Sequence, residues 1–140
     1  MGVVISKREY RALNKTKLMR PLIYCNPEKE IAERAIPLNV ALAKRLVSID
    51  PKRRTLRMER CVQQVLSELP SDVIIKDFDV LFNPEYEVDI LRILIAQCRI
   101  KSFDAIWPGR YENGKLIYAE EEYRDYKVFE INKYDITCVV

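Results

Sequence analysis

Two hydrophobic periods alternate along this chain. Short apolar runs at 21–25, 72–82 and 103–107, bounded by Pro, Asn and Asp, have the length and composition of buried strands. Between them an apolar residue recurs every three or four positions, the spacing of one buried helix face. Leu38, Leu42 and Leu46 predict a short helix over about 39–47. Met58, Cys61, Val62, Val65, Leu66 and Leu69 predict a longer helix that opens at Asp50-Pro51 and ends before Pro70. Val88, Leu91, Leu94, Ile95 and Cys98 predict a third, opening at Asn83-Pro84. Asn26-Pro27 gives the same cap-then-proline signal for a helix running to about Ala35, because a side-chain oxygen caps the first N–H groups and proline suits the first helical position.

The two ends of the chain read differently. Lys7 to Met19 is basic and loosely periodic through Tyr10, Leu13 and Leu18, so residues 1–20 are expected to include an N-terminal helix or arm. Asn113-Gly114 fits a tight turn between Arg110-Tyr111 and Leu116-Ile117-Tyr118, followed by short strands at 128–131 and 136–140. Strands alternating with helices predict an α/β fold: a mostly parallel sheet flanked by helices, with a C-terminal antiparallel hairpin added at one edge. With 140 residues, 49% of them hydrophobic, and no linker or repeat, residues 1–140 make one domain.

Composition narrows the chemistry. There is no histidine, so Ser-His and Cys-His nucleophile pairs are excluded. Cys25, Cys61, Cys98 and Cys138 are widely spaced among apolar neighbours, which fits buried thiols rather than a zinc site. No apolar run approaches the roughly 20 residues of a membrane span, and the first residues lack a secretory leader, so a cytoplasmic protein without membrane contact is expected. The net charge of +3 conceals a division: residues 1–60 carry 15 Lys and Arg against 6 Asp and Glu, a net of +9, while 61–140 carry 9 against 15, a net of −6. Such a division can draw an acidic partner to one face or let copies pack head to tail as a homo-oligomer.

The stretch Val73-Ile74-Ile75-Lys76-Asp77-Phe78-Asp79 reads like the metal-side strand of an NTPase, an apolar strand ending in carboxylates. Alternation along an extended strand would put Asp77 and Asp79 on one face, where two carboxylates could share a divalent ion, beside Lys76. The same residues could simply end the strand and cap the turn toward Asn83-Pro84. No phosphate loop precedes them. Such a loop needs several N–H groups converging on one anion, hence glycine dihedrals, yet the only glycines are Gly2, Gly109 and Gly114. The first strand–helix junction, Tyr24-Cys25-Asn26-Pro27-Glu28-Lys29-Glu30, offers Lys29 as its one cation, while Glu28 and Glu30 place negative charge where phosphates would sit. The expectation is no resident cofactor, with ATP and magnesium entering only if a partner chain completes the site.

Lys44, Arg45, Lys52, Arg53, Arg54, Arg57 and Arg60 form a basic stretch that could meet nucleic-acid phosphates or an acidic partner, or be a solvated helix face. No aromatic residue is interleaved to stack on bases. Glu120-Glu121-Glu122 reads as a solvated acidic loop.

Ordered short motifs carry a resemblance over about 36–140: Pro37-Leu38-Asn39-Val40 with Ala43-Lys44-Arg45-Leu46, then Asp77 to Phe82, Ile90-Leu91-Arg92-Ile93-Leu94, Gln97-Cys98-Arg99, Ala105-Ile106-Trp107-Pro108-Gly109 and Leu116-Ile117-Tyr118-Ala119-Glu120. Together they resemble BrxF, the small P-loop protein of type 3 BREX phage-defence systems. The resemblance implies a P-loop NTPase-like frame and other defence-system proteins as partners. It makes Arg99 the match of an arginine that resembles a nucleotide sensor, and Asp79 the match of an acidic residue. Lys76 falls where the family has its strand-end aspartate, and the family's Gly-Lys-Thr loop has no counterpart. The resemblance with these departures implies a non-catalytic subunit or adaptor of a BREX-like defence assembly acting through protein binding. The alternatives are an NTPase completed by a partner subunit and a nucleic-acid-binding module.

Overall fold

In chain order the elements are β1 (Val3–Ile5), α1 (Lys7–Ala12), β2 (Leu22–Tyr24), α2 (Lys29–Arg34), β3 (Ile36–Pro37), α3 (Asn39–Val47), α4 (Met58–Ser67), β4 (Val73–Lys76), α5 (Ile90–Ile100), β5 (Phe103–Ile106), β6 (Arg110–Glu112), β7 (Lys115–Tyr118), β8 (Lys127–Glu130) and β9 (Thr137–Val139). They come from a computed structural model that describes residues 2–12 and 21–140. The Leu13 and Leu18 part of the expected N-terminal helix lies outside the described residues.

Six strands form the central sheet in the order β1-β9-β2-β5-β4-β3, and every pairing within it is parallel. The register aligns Cys138, Ile23, Ala105 and Ile75 in one row across the sheet, each with 0% exposure. That row packs with Leu38, Leu42 and Leu46 of α3 and with the apolar faces of α4 and α5 in the main core. The alternate positions Leu22, Tyr24, Ile74 and Val139 turn to the other face, where Tyr10 and Ile31 of α1 and α2 join them. Both faces of the sheet are therefore covered, as a parallel sheet requires.

The leucine stripe of α3 and the apolar face of α4 are buried as their spacing predicts, but three helix starts move toward the C-terminus. Asp50 caps only a 3-10 turn at Pro51–Arg53, accepting from the Lys52 N–H at 3.1 Å, and α4 begins at Met58. Asn83 likewise caps a 3-10 turn at Pro84–Tyr86, and α5 starts behind a different cap, Asp89, burying Ile90, Leu91, Ile93, Leu94 and Gln97 while Val88 precedes it. Asn26 is not a cap: the Cys25 N–H still bonds to the Val139 carbonyl at 2.9 Å, the chain bends at Cys25 and Asn26, and Glu28, with extended backbone, stands directly before α2.

Three helices end on a cation from elsewhere in the chain. Lys76 Nζ donates to the Ala32 carbonyl in the last turn of α2 at 2.9 Å. Arg54 Nε donates to the Leu46 and Ile49 carbonyls at 2.8 and 3.1 Å, closing α3. Lys101 Nζ reaches the Leu66 carbonyl at 3.2 Å and the Leu69 carbonyl, closing α4. Each cation meets carbonyls at the negative end of a helix dipole, and those of Leu46 and Leu66 also accept a backbone N–H of the closing turn.

The expected C-terminal hairpin exists, with Asn113 and Gly114 at φ +48° and +77° as a tight turn needs. It is not added to an edge of the main sheet. β8 joins it to make a separate antiparallel sheet, β6-β7-β8, while β9 returns to the main sheet between β1 and β2. An aromatic cluster docks the two sheets. Phe82 stacks on Tyr118 at 3.9 Å between centroids and meets Trp107 edge-on at 5.5 Å, and Trp107 Nε1 donates to the Ile117 carbonyl at 3.0 Å. Among the described residues no helix is long and apolar enough to cross a membrane.

Gly109 sits where this docking is tightest: a Cβ there would lie 1.9 Å from the Ile117 carbonyl oxygen. Gly109→Ala is expected to force the hairpin away from Trp107 and lower folding stability by about 1–3 kcal/mol, measured as a fall in the urea midpoint. An unchanged midpoint would contradict this docking.

Candidate functional site

Because the central strands are parallel, β2, β4, β5 and β9 deliver their carboxyl ends to one edge of the sheet, the edge at which open α/β sheets bind ligands. The β2–α2 junction and the Asp77–Asp79 corner both open there, on either side of β5.

The corner departs from the extended strand expected of it. β4 stops at Lys76, Asp77 turns the chain at φ +50°, a conformation Asp tolerates better than most residues, and Asp79 opens a 3-10 turn through Phe82. The two carboxylates therefore do not lie on one face of a strand. Asp77 is exposed, and its carbonyl accepts from the Leu38 N–H at 3.3 Å. Asp79 is half-buried and held on both oxygens: Oδ1 accepts from Asn39 Nδ2 at 3.4 Å and Oδ2 from the Tyr118 hydroxyl at 3.1 Å. Asn39 Oδ1 in turn accepts the Val80 N–H at 3.0 Å. One carboxylate thus joins the first turn of α3, the exit of β4 and the second sheet. Burial, reinforced by the Asp79 charge and hydrogen bond, pushes the Tyr118 phenol up to about 12. Lys76 does not offset these charges, since its ammonium caps α2.

The β2–α2 junction is occupied by the protein's own groups. Arg11 of α1 forms an ion pair with Glu28, the residue that precedes α2. The Tyr10 and Tyr24 hydroxyls share a hydrogen bond of 2.9 Å, with the rings edge to face at 5.7 Å, and burial together with that bond raises the Tyr24 phenol above its ordinary value. Between α1, α2 and the ends of β2 and β9 remains a cavity of about 180 Å³, walled in part by Tyr10, Tyr24, Pro27 and Ile31. Lys29 points away as an exposed partner of Glu33 at 3.7 Å.

Arg99 is not part of this edge. α5 leaves the corner at Asp89 and runs back to feed the amino end of β5, so its last turn lies at the opposite end of the sheet, where Arg99 approaches Asp135 at 4.0 Å just before β9. It pairs with neither Asp77 nor Asp79. The basic stretch is also divided. Arg45 bridges α3 to α4 through Gln64 and Glu68, and Arg54 is turned in to the α3 carbonyls, while Lys44, Lys52, Arg53 and Arg57 are exposed.

The structure adds a second aspartate–tyrosine tie. Asp89 caps α5 through the Arg92 N–H at 3.3 Å and accepts from the Tyr134 hydroxyl at 2.7 Å, with the Arg92 guanidinium 5.3 Å from the Tyr134 ring centroid. Burial and Asp89 push the Tyr134 phenol up to about 12. The signal was present in the sequence, since Asp89 stands directly before an apolar helical run. Among the described residues, no group of three or more Cys, Asp or Glu is arranged to hold a metal ion. Comparison with protein-family models, with curated proteins and with solved structures gave no match.

The raised phenols make this arrangement measurable. A tyrosine whose folded pKa lies above its unfolded value near 10 contributes stability that is whole below about pH 10 and is lost as the pH rises toward about 12. Tyrosinate absorbance should therefore show Tyr24, Tyr118 and Tyr134 titrating above the ordinary tyrosine value near 10. Asp79→Ala should bring Tyr118 back toward 10 and lower stability at neutral pH by about 1–3 kcal/mol. Unchanged or increased stability in Asp79→Ala would mean a repelled, unbonded carboxylate and contradict the tie.

Proposed function

We propose that this chain is a non-catalytic, protein-binding subunit or adaptor of a BREX-like antiphage defence assembly, built on a P-loop NTPase-like frame that has lost its phosphate loop. One observation carries the loss of nucleotide chemistry. At the carboxyl edge, the groups placed to face a metal or triphosphate face protein instead: Asp79 is hydrogen-bonded to Asn39 and Tyr118, and Glu28 is paired with Arg11. The frame reading is supported by β2, a strand leading into a helix, and β4, an apolar strand leading into carboxylates, running parallel on either side of β5. The assembly context rests on the motif resemblance, whose pieces fall at the exit of β4, along α5, at the end of β5 and in β7. The exit of β4, the end of β5 and β7 build the carboxyl edge and the docking of the second sheet, while the Arg99 turn of α5 lies at the opposite end.

An NTPase completed by a partner would require Asp79 to leave two hydrogen bonds and Arg99 to act from the far end of the sheet, so the geometry favours the adaptor. A nucleic-acid module would rely on the exposed Lys44, Lys52, Arg53, Arg57 and Arg60, without Arg45 and Arg54, which serve the packing of α3. Affinity isolation of the tagged chain expressed from its own locus tests the reading. The expected result is co-purification, in fixed proportion, of the methyltransferase and the phosphatase-like protein of a BREX-type system. Recovery of the chain without them would contradict the proposed assembly.

A further inference from the structure

A second concavity lies on the outer face of the second sheet, away from the edge described above. It is a groove of about 730 Å³ with an apolar floor of Ile117, Val128 and Tyr126 and a rim formed by the 120–122 loop. Its charged lining sets Arg110 and Lys115 against Glu112, Glu120, Glu121 and Glu122, an excess of carboxylates; Arg110 is engaged with Glu112 and Glu120 at 3.5 and 3.2 Å, whereas no ion pair within the described residues involves Glu121 or Glu122. Val128, on the floor, is 41% exposed. The groove therefore combines apolar surface with carboxylates facing solvent.

Elsewhere the same chain carries the complement. Leu56 is 87% exposed, the highest value of any large hydrophobic residue described, and it stands in the segment between α3 and α4. Lys52, Arg53 and Arg57 flank it and are exposed, while Arg54 turns inward and straps the segment to α3 at 2.8 and 3.1 Å, holding the leucine outward on a fixed support. An apolar anchor between arginines matches an apolar floor beneath glutamates in both hydrophobicity and charge. No hydrogen bond or ion pair joins the two surfaces within one copy among the described residues.

We infer that the groove of one copy receives the Leu56 segment of a second copy. The side chain of Leu56 enters between Val128 and Tyr126, and Arg53 and Arg57 face Glu121 and Glu122. The two surfaces differ, so the contact is heterologous: each copy keeps a free groove and a free anchor, and association continues to a ring or a chain of copies. This gives the charge division between the two parts of the sequence a structural role, and it does not depend on the nucleotide reading.

Sedimentation velocity of the purified full chain, from tens to hundreds of micromolar, tests the inference. In about 0.1 M salt the wild type is expected to show species heavier than the monomer. These should diminish toward about 1 M salt, over which the Debye length falls from about 10 Å to about 3 Å. Leu56→Glu should abolish them, as should Arg53→Glu with Arg57→Glu, and Glu121→Lys with Glu122→Lys, each variant keeping the wild-type circular dichroism. Mixing the two charge-reversed variants should restore association, because both pairings are then complementary between them. A wild type that stays monomeric throughout overturns the inference. So does association that survives Leu56→Glu and the loop reversal, and so does failure of the mixture to associate.

Discussion

The carboxylate of Asp79 is the junction on which the two sheets depend. It receives Asn39 from the first turn of α3 and Tyr118 from β7, and the ring of Tyr118 lies flat on Phe82, which leads the aromatic docking of the second sheet. A charged acceptor in a half-buried position stabilises the fold only when its oxygens are satisfied, and here both are. The same geometry decides the chemistry of the edge. A carboxylate held by an amide and a phenol is occupied by ordinary structure, and Tyr118 stays protonated well above neutral pH as its donor.

Charge elsewhere in the main body follows a related logic. Lys76, Arg54 and Lys101 end three helices, and the positions that sequence patterning marks as a basic surface are split between these internal tasks and solvent. What remains exposed is concentrated beside Leu56 rather than spread along a face. A short segment with one apolar anchor suits recognition of a shaped protein surface better than tracking of a phosphate backbone, which calls for repeated cations and stacking rings.

The helical part of the fold was legible because its signal is local. Leu38, Leu42 and Leu46, and the apolar face from Met58 to Leu66, are buried as their spacing predicts. The Asn113-Gly114 turn was legible for the same reason. The strand through Asp77 was read too long because a left-handed turn at Asp leaves no mark in hydrophobic pattern. β1 was missed because three apolar residues at the start of a chain carry no period, and its pairing with β9 spans nearly the whole sequence. Asp79 was singled out as a carboxylate that could face a metal, but the partners it has in the fold lie 39 and 40 positions away, and only the fold shows that they are protein groups. Arg99 lies at the other end of the sheet from Asp79, a placement the motif could not give because matching it does not say which way the helix that carries it runs. Lys76 and Lys101 cap carbonyls 44 and 35 positions away, contacts with no local signature.

The central proposal is that the carboxyl edge of the sheet serves to hold the protein together and not to hold a nucleotide. Calorimetric titration with magnesium and a non-hydrolysable ATP analogue, run on the wild type and on Asp79→Asn, tests it most directly. The account predicts no saturable heat from either protein. Saturable binding at micromolar concentration that disappears in Asp79→Asn would contradict it and return Asp79 to a metal.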